Sequence, residues 1–540
     1  VGGRDGTAGG TGTALGGGGI IGGEKGNVLS LTNVVLANNQ VTVLGSGNIG
    51  GGGIQWTGGD LNITNSTFGG SAAPGAYTDR TSTNTANLQA GSGGGIMFTP
   101  SAPQHTASTG ILTVAGSTFS RNTAGSIGSG GGGADLLTFA FSAPGGGGTG
   151  SATIGTSTFS NNQANPGNGG GILVESLATT VATTSLTNNS AGNRGGGIFV
   201  GGASLLLNGA TPSITFTGNT ATNGGSSVST SSAVNVAGTN TTIGGDIEIN
   251  TLGSWTNNAG SSLAPTNVVV TGGTFNMNNS TMNVSGNLTI GPGPVVGSTF
   301  NGNTGTVNIQ GNFVLNAGGA PATTLNAGTG TFNFNGTGAQ SITNGTNITF
   351  FNLTDSNVTQ PLTLNNSLAV NGTLNVNGAN AILSPAPGAV ISGTGTLTGT
   401  GTARASRIAA IADFLNQYTI TNKTLTNLTI DYNGAGTQTV NNAPAYSKLR
   451  ISGSGTKTLQ GNTVITSNLD IIAGATFAAS TFNFALGGNW TNGGTFTPGT
   501  GTVTFQGASG IQLLTGNTTF FNLTLNNPGA TTDFSNTTTT

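Results

Sequence analysis

The sequence has no cysteine, one histidine, and only 11 basic and 13 acidic side chains in 540 residues. The missing cysteine excludes disulfides, thiolate metal sites and cysteine nucleophiles, and is compatible with a large exported bacterial protein stabilised without redox chemistry. With His105 alone, no histidine cluster can hold zinc, and a Ser-His-Asp arrangement would depend on that one residue. It sits in Ser101-Ala102-Pro103-Gln104-His105-Thr106, which reads as a loop, so a solvated side chain is expected. A formal charge of −2 without runs of Lys or Arg supplies no phosphate-neutralising patch, which argues against nucleic acid and anionic lipid as partners. No apolar run reaches the ~18 residues of a membrane-spanning helix, and the start at Val1 shows neither a basic n-region nor an apolar h-region. Membrane insertion by this chain is not expected. Beginning at Val1 and ending in Phe534-Ser535-Asn536 and four threonines, the chain reads as a processed product or as part of a longer protein.

What replaces charge is glycine, at 100 positions, together with Asn, Thr and Ser. Gly and Pro together make about 21% of the chain, below the ~25–30% that marks unstructured low-complexity sequence, and no glycine-every-third pattern suggests collagen. Apolar residues reach 34%, with 24 Phe spaced among Val, Ile and Leu, so each segment has something to bury.

Up to about residue 225 two short motifs alternate. One is a glycine triplet before an apolar residue, ending at Ile20, Ile54, Ile96, Ala134, Ile172 and Ile198, at intervals of 26 to 42 residues. The other places an apolar residue three before Asn: Phe119 with Asn122, Phe159 with Asn162, Leu186 with Asn189, Phe216 with Asn219. Leu36 with Asn39 is a looser copy, and after Phe68 the Asn is lost. Between them lie alternating runs such as Leu61-Asn62-Ile63, whose period of two marks strands with one buried face. Irregular spacing with constant strands predicts coils that carry variable loops. Glycine triplets suit corners that need positive φ or close backbone approach, while Asn tolerates left-handed geometry and can ladder its amide from coil to coil.

From about residue 260 the pattern changes. Gly330 to Thr354 and Gly501 to Thr524 are two copies of one unit, and Tyr432 to Ile451 is a diverged third. Apolar triplets recur near twenty residues, as in Leu428, Leu449 and Leu469 or Phe332, Leu353 and Leu374, one coil per repeat. Stacked at strand spacing, on the order of twenty coils would give a rod of ~100 Å. Only residues 403–417 depart from this: apolar positions 408, 411, 414 and 415 allow a short helix, and a strand excursion equally. The expected fold class is all-β, a right-handed parallel β-helix (β-solenoid) with little or no α-helix, in two parts, 1–225 and 226–540, continuous with each other.

The glycine-triplet and Phe-x-x-Asn motifs of residues 1 to about 225 resemble the paired repeats of polymorphic outer-membrane proteins and related autotransporter passenger domains. That resemblance implies a right-handed β-helix displayed on a bacterial surface for adhesion. Residues beyond it, with units such as Gly487-Gly488-Asn489-Trp490-Thr491-Asn492, look like the repeats of very large bacterial surface adhesins, which implies a filamentous or adhesive role and transfers no active residues.

Solenoid enzymes that act on polysaccharides gather Asp pairs, calcium-holding acid clusters or an Arg base on one face. The close acidic pair here is Asp246 and Glu248, which a strand would turn to one face with no basic or third acidic neighbour in sequence. Residues 401–460 hold Arg404, Arg407, Lys423, Lys448, Arg450 and Lys457 against Asp413 and Asp431, an excess that could meet an acidic glycan or simply keep the surface soluble. Trp56, Trp255 and Trp490 could stack on sugars if exposed. No catalytic, cofactor or metal residue is assigned. The expectation is a non-enzymatic extracellular or cell-surface stalk or adhesin segment, its partners glycans, surfaces or further copies of itself. A filament subunit adding head to tail is the alternative, and a polysaccharide lyase or hydrolase the third reading.

Overall fold

The structure, a computed structural model, describes residues 20–22, 27–36, 40–41, 53–57, 59–69, 85–86, 94–99, 109–124, 134–136, 149–175, 177–209, 213–238, 241–291, 297–316 and 322–536. His105, Asn39 and the glycines at 17–19, 51–52, 93 and 131–133 lie outside them. The chain divides into two compact units, Val1–Thr306 with Gly318–Thr324 and Val307–Ala317 with Leu325–Thr540. Each is all-β and is built as a parallel β-solenoid.

In the first unit the residues that follow the glycine triplets form one column. Ile20, Ile54, Ile96, Ala134, Ile172 and Ile198 pair in register, each with the next, and the ladder goes on through Val228, Ile247, Val268 and Leu288. A second column runs through strands such as Asp60–Thr64, Thr109–Ala115 and Thr149–Gly155, where Leu61, Ile63, Leu112, Val114 and Ile154 are buried. The third stacks Phe68, Phe119, Phe159, Leu186 and Phe216, with Phe68, Phe119 and Phe159 face to face at 4.7 and 4.6 Å between ring centres. A fourth, of two-residue strands, lines up Ala86, Ala124, Ala164, Ala191 and Ala221. Among the described residues this fourth column stops at Thr220–Ala221, and from Val228 onward coils of about twenty residues make do with three. The change of repeat near residue 225 is thus the loss of one side of the coil.

The motif asparagines form a buried amide ladder. The side-chain nitrogen of Asn122 donates to Asn162 Oδ1 at 2.8 Å, that of Asn162 to Asn189 at 2.9 Å and that of Asn189 to Asn219 at 3.0 Å. Each also donates back to the carbonyl of Phe68, Phe119, Phe159 or Leu186 in the coil before. The left-handed geometry falls one residue earlier than expected, on Arg121, Asn161, Asn188 and Gly218, because the Asn itself must turn inward to reach its neighbours. In the glycine triplets the first residue supplies the positive φ, 68° at Gly169 and Gly195, and the other two supply contact. A Cβ on Gly196 would lie 2.3 Å from the carbonyl oxygen of Thr220.

The second unit uses glutamine in place of asparagine. Gln340, Gln438 and Gln512, one in each copy of the repeated unit, accept a backbone N–H from Gly336, Gly434 and Gly507 and donate to two carbonyls of the preceding coil: Ile309 and Gly311, Ala405 and Arg407, Leu486 and Gly488. Gln417 does the same from the end of Asp413–Gln417, a single helical turn within 403–417. Phe332, Leu353 and Leu374 stack in register as expected. The partner of Leu449 is Ile430 and not Leu428, which is buried just before its strand.

Replacing Asn189 by Ala leaves the Phe159 carbonyl, Asn162 and Asn219 short of partners inside the coil, and should cost roughly 2–4 kcal/mol in denaturant unfolding followed by amide exchange. Asn193→Ala, four residues further along the same coil and half-exposed, should cost under about 0.5 kcal/mol.

Candidate functional site

Ile247–Ile249 is a strand whose two isoleucines point inward, which sends Glu248 to the outer face. Glu248 is nevertheless 5% exposed, because it is covered. The Nε of Arg194, two coils earlier, lies 3.2 and 3.0 Å from its carboxylate oxygens, the Ser229 hydroxyl donates at 2.7 Å and the Asn250 amide at 3.3 Å. The intervening coil passes beneath this pair at Gly224, where a Cβ would sit 2.8 Å from the carboxylate. Asp246 lies outside the strand and accepts from the Asn267 amide at 2.7 Å. The acidic pair therefore separates into two carboxylates with their own partners, and Glu248 is held as one half of an ion pair that clamps three coils.

The tryptophans do not offer sugar platforms. Trp255 and Trp490 are fully buried and Trp56 is 8% exposed. The Trp255 indole donates to Asn257 and that of Trp490 to the Thr518 hydroxyl, and Trp255 heads a stack with Phe275 and Phe300.

The basic segment is also satisfied in part from within. Arg404, Asp431, Arg450 and Asp470 are register partners on successive strands, an alternating charge ladder in which Arg404 Nε stands 3.5 Å from the Asp431 carboxylate. Burial raises the Asp431 carboxyl above the usual range, against the Ser452 hydroxyl bond and the pull of Arg450 and Arg404. Lys457 pairs with Gln438 in register and takes over its task, donating to the carbonyls of Gly434 at 2.7 Å and Gly436 at 3.0 Å and to Ser454. Burial lowers the pKa of Lys457 and, likewise, that of Lys423, whose ammonium meets the Ile420 carbonyl. The local excess of positive charge includes two lysines spent on the protein's own backbone.

The second unit carries a groove of about 300 Å³ bordered by Leu325, Thr349, Phe351 and Asn371, with no ionisable side chain in its walls. Among the described residues no three His, Cys, Asp or Glu side chains come together as metal ligands, and no helix is long and apolar enough to cross a membrane. No family model, no curated protein and no solved structure matches the chain.

The buried glutamines and Lys457 are the residues that reading the sequence missed. The signal was there, since Gly-x-x-x-Gln recurs at 336–340 and 434–438, but a glutamine amid Thr and Asn looks like surface until its coil is closed.

Gly224→Ala should push the Glu248 carboxylate off Arg194 and lower stability by about 1–3 kcal/mol, as should Arg194→Met, which leaves Glu248 covered and unpaired. Thermal unfolding of the two single variants and the double variant checks this: a shared clamp requires their effects to be less than additive.

Proposed function

We propose that the chain is a non-enzymatic structural and adhesive segment of a secreted or cell-surface protein. The observation that carries this reading is the way its few charges are used. Glu248, Asp431 and Lys457 are consumed in holding coils together, while the exposed faces are left to hydroxyls and amides on strands such as Thr118–Ser120, Thr158–Ser160 and Thr373–Val376. A stack of this kind gives a neutral, regular surface in which, among the described residues, no three His, Asp or Glu side chains converge, and it adds length one coil at a time. The stretches of sequence between the repeated strands differ in length, which leaves room for contact surface to vary from coil to coil. Glycans or other surfaces are the partners proposed.

The filament reading has its own support. In Asn522–Leu525, Leu523 and Leu525 are 37% and 53% exposed, although Val503 and Phe505, their partners one coil earlier, are buried. That edge fits another coil of the same kind, contributed by following chain or by a second copy.

Electron microscopy of the isolated protein over a range of concentrations tests both readings. Particles of one size at every concentration are expected of a stalk or adhesin segment. Filaments that lengthen with concentration would transfer the function to self-assembly, and release of reducing or unsaturated sugars from acidic polysaccharides would overturn the non-enzymatic reading.

A further inference from the structure

Residues 249–403 contain one ionisable side chain, Asp355, and the fold turns it inward. It ends the strand Asn352–Asp355, where it takes its place in an interior column between Phe334 and Val376 and is 0% exposed. Its Oδ1 accepts the Asn357 N–H at 3.1 Å, and its Oδ2 has no hydrogen-bond partner among the described residues. At the same position the closer copy of this repeated unit has Leu525 and the diverged copy Ile451. A stretch that has dispensed with charge everywhere else keeps a single carboxyl where its copies have a leucine and an isoleucine.

We infer that Asp355 is a pH-sensitive lock in the second unit, holding its coils when the carboxyl is protonated and loosening them when it ionises. A neutral carboxyl can stand in a column of apolar side chains, and a carboxylate with one bare oxygen is strongly disfavoured there. No charge nearby can compensate it. The strands on either side, Thr331–Phe334 and Thr373–Val376, and the strands Gln340–Asn344 and Leu362–Leu364 contain no titratable or charged residue. A metal ion is also poorly served. It would need Asn357 Oδ1, which already accepts the N–H and hydroxyl of Thr359 and the N–H of Gln360 at 2.9–3.1 Å.

Burial pushes the Asp355 carboxyl up from 3.8 to about 7, opposed by the Asn357 N–H. Because the folded form is the weaker acid, it binds the extra proton between these two values. The stability contributed by that proton is complete below the unfolded value of 3.8, declines about tenfold in folding constant per pH unit, and is gone above the folded value of about 7.

Hydrogen exchange on the full chain, read from peptides covering residues 331–376 and corrected for the intrinsic pH dependence of exchange, tests the lock. The opening constant of these peptides should be on the order of 100-fold larger at pH 8 than at pH 5. Asp355→Asn should abolish the difference, and Asp355→Leu, the residue of the closer copy, serves if the amide variant fails to fold. Protection that does not vary with pH in the parent protein, or a pH dependence that survives in both variants, overturns the inference. Recovery of protection at pH 8 on adding calcium alone would assign the carboxyl to a cation and overturn it too.

Discussion

Parallel strands stacked in register impose one rule on everything else: whatever a coil places at a given position must tolerate its own likeness about 4.8 Å above and below. Apolar side chains satisfy this by stacking, as Phe68, Phe119 and Phe159 do. An amide satisfies it better than any other polar group, because it donates and accepts at once and can hand a hydrogen bond from one coil to the next. A charge fails it beside its own kind, since like copies repel, and is accommodated where the sign alternates, as from Arg404 to Asp470. The 4% charged content of this chain follows from that rule more than from any demand of solubility.

The amide is used in two ways. Asparagine in the first unit links like to like, from Asn122 through Asn219, so each amide depends on its neighbours being amides as well. Glutamine in the second unit closes on the backbone, and needs only the carbonyls of the coil before. The second solution is independent of the side chains in the next coil. This is why Lys457 can replace a glutamine with its ammonium on the same kind of carbonyls.

Most of the fold could be read from the sequence because register stacking writes itself into the chain as repetition. Ile54, Ile96, Ile172 and Ile198 announce a shared column, and the asparagines of the Phe-x-x-Asn motif announce a ladder. What could not be read was where outward-facing charge becomes covered. Glu248 lies on the outer face of a strand by alternation and is buried by an arginine 54 positions away in the chain, a contact that depends on Gly224 having no side chain between them. The tryptophans failed as candidates for a similar reason: alternation marks a side of the strand, and only the closed coil shows that Trp255 and Trp490 lie inside. For the function, the regularity that reveals the fold gives little to read, because repeated positions do not single out individual residues.

A solenoid unit passes disturbance along its stacking direction level by level, because each coil packs chiefly on the coils on either side, the Arg194–Glu248 clamp being an exception that skips one. Tension, or an opening that begins at an edge, meets these levels in series, and the strength of the whole is that of the poorest contact. In the second unit one of these levels is set apart by its chemistry. Between Phe334 and Val376 the column of interior side chains is carried by the carboxyl of Asp355, so on the inference drawn above the contact at that level varies with the state of one proton.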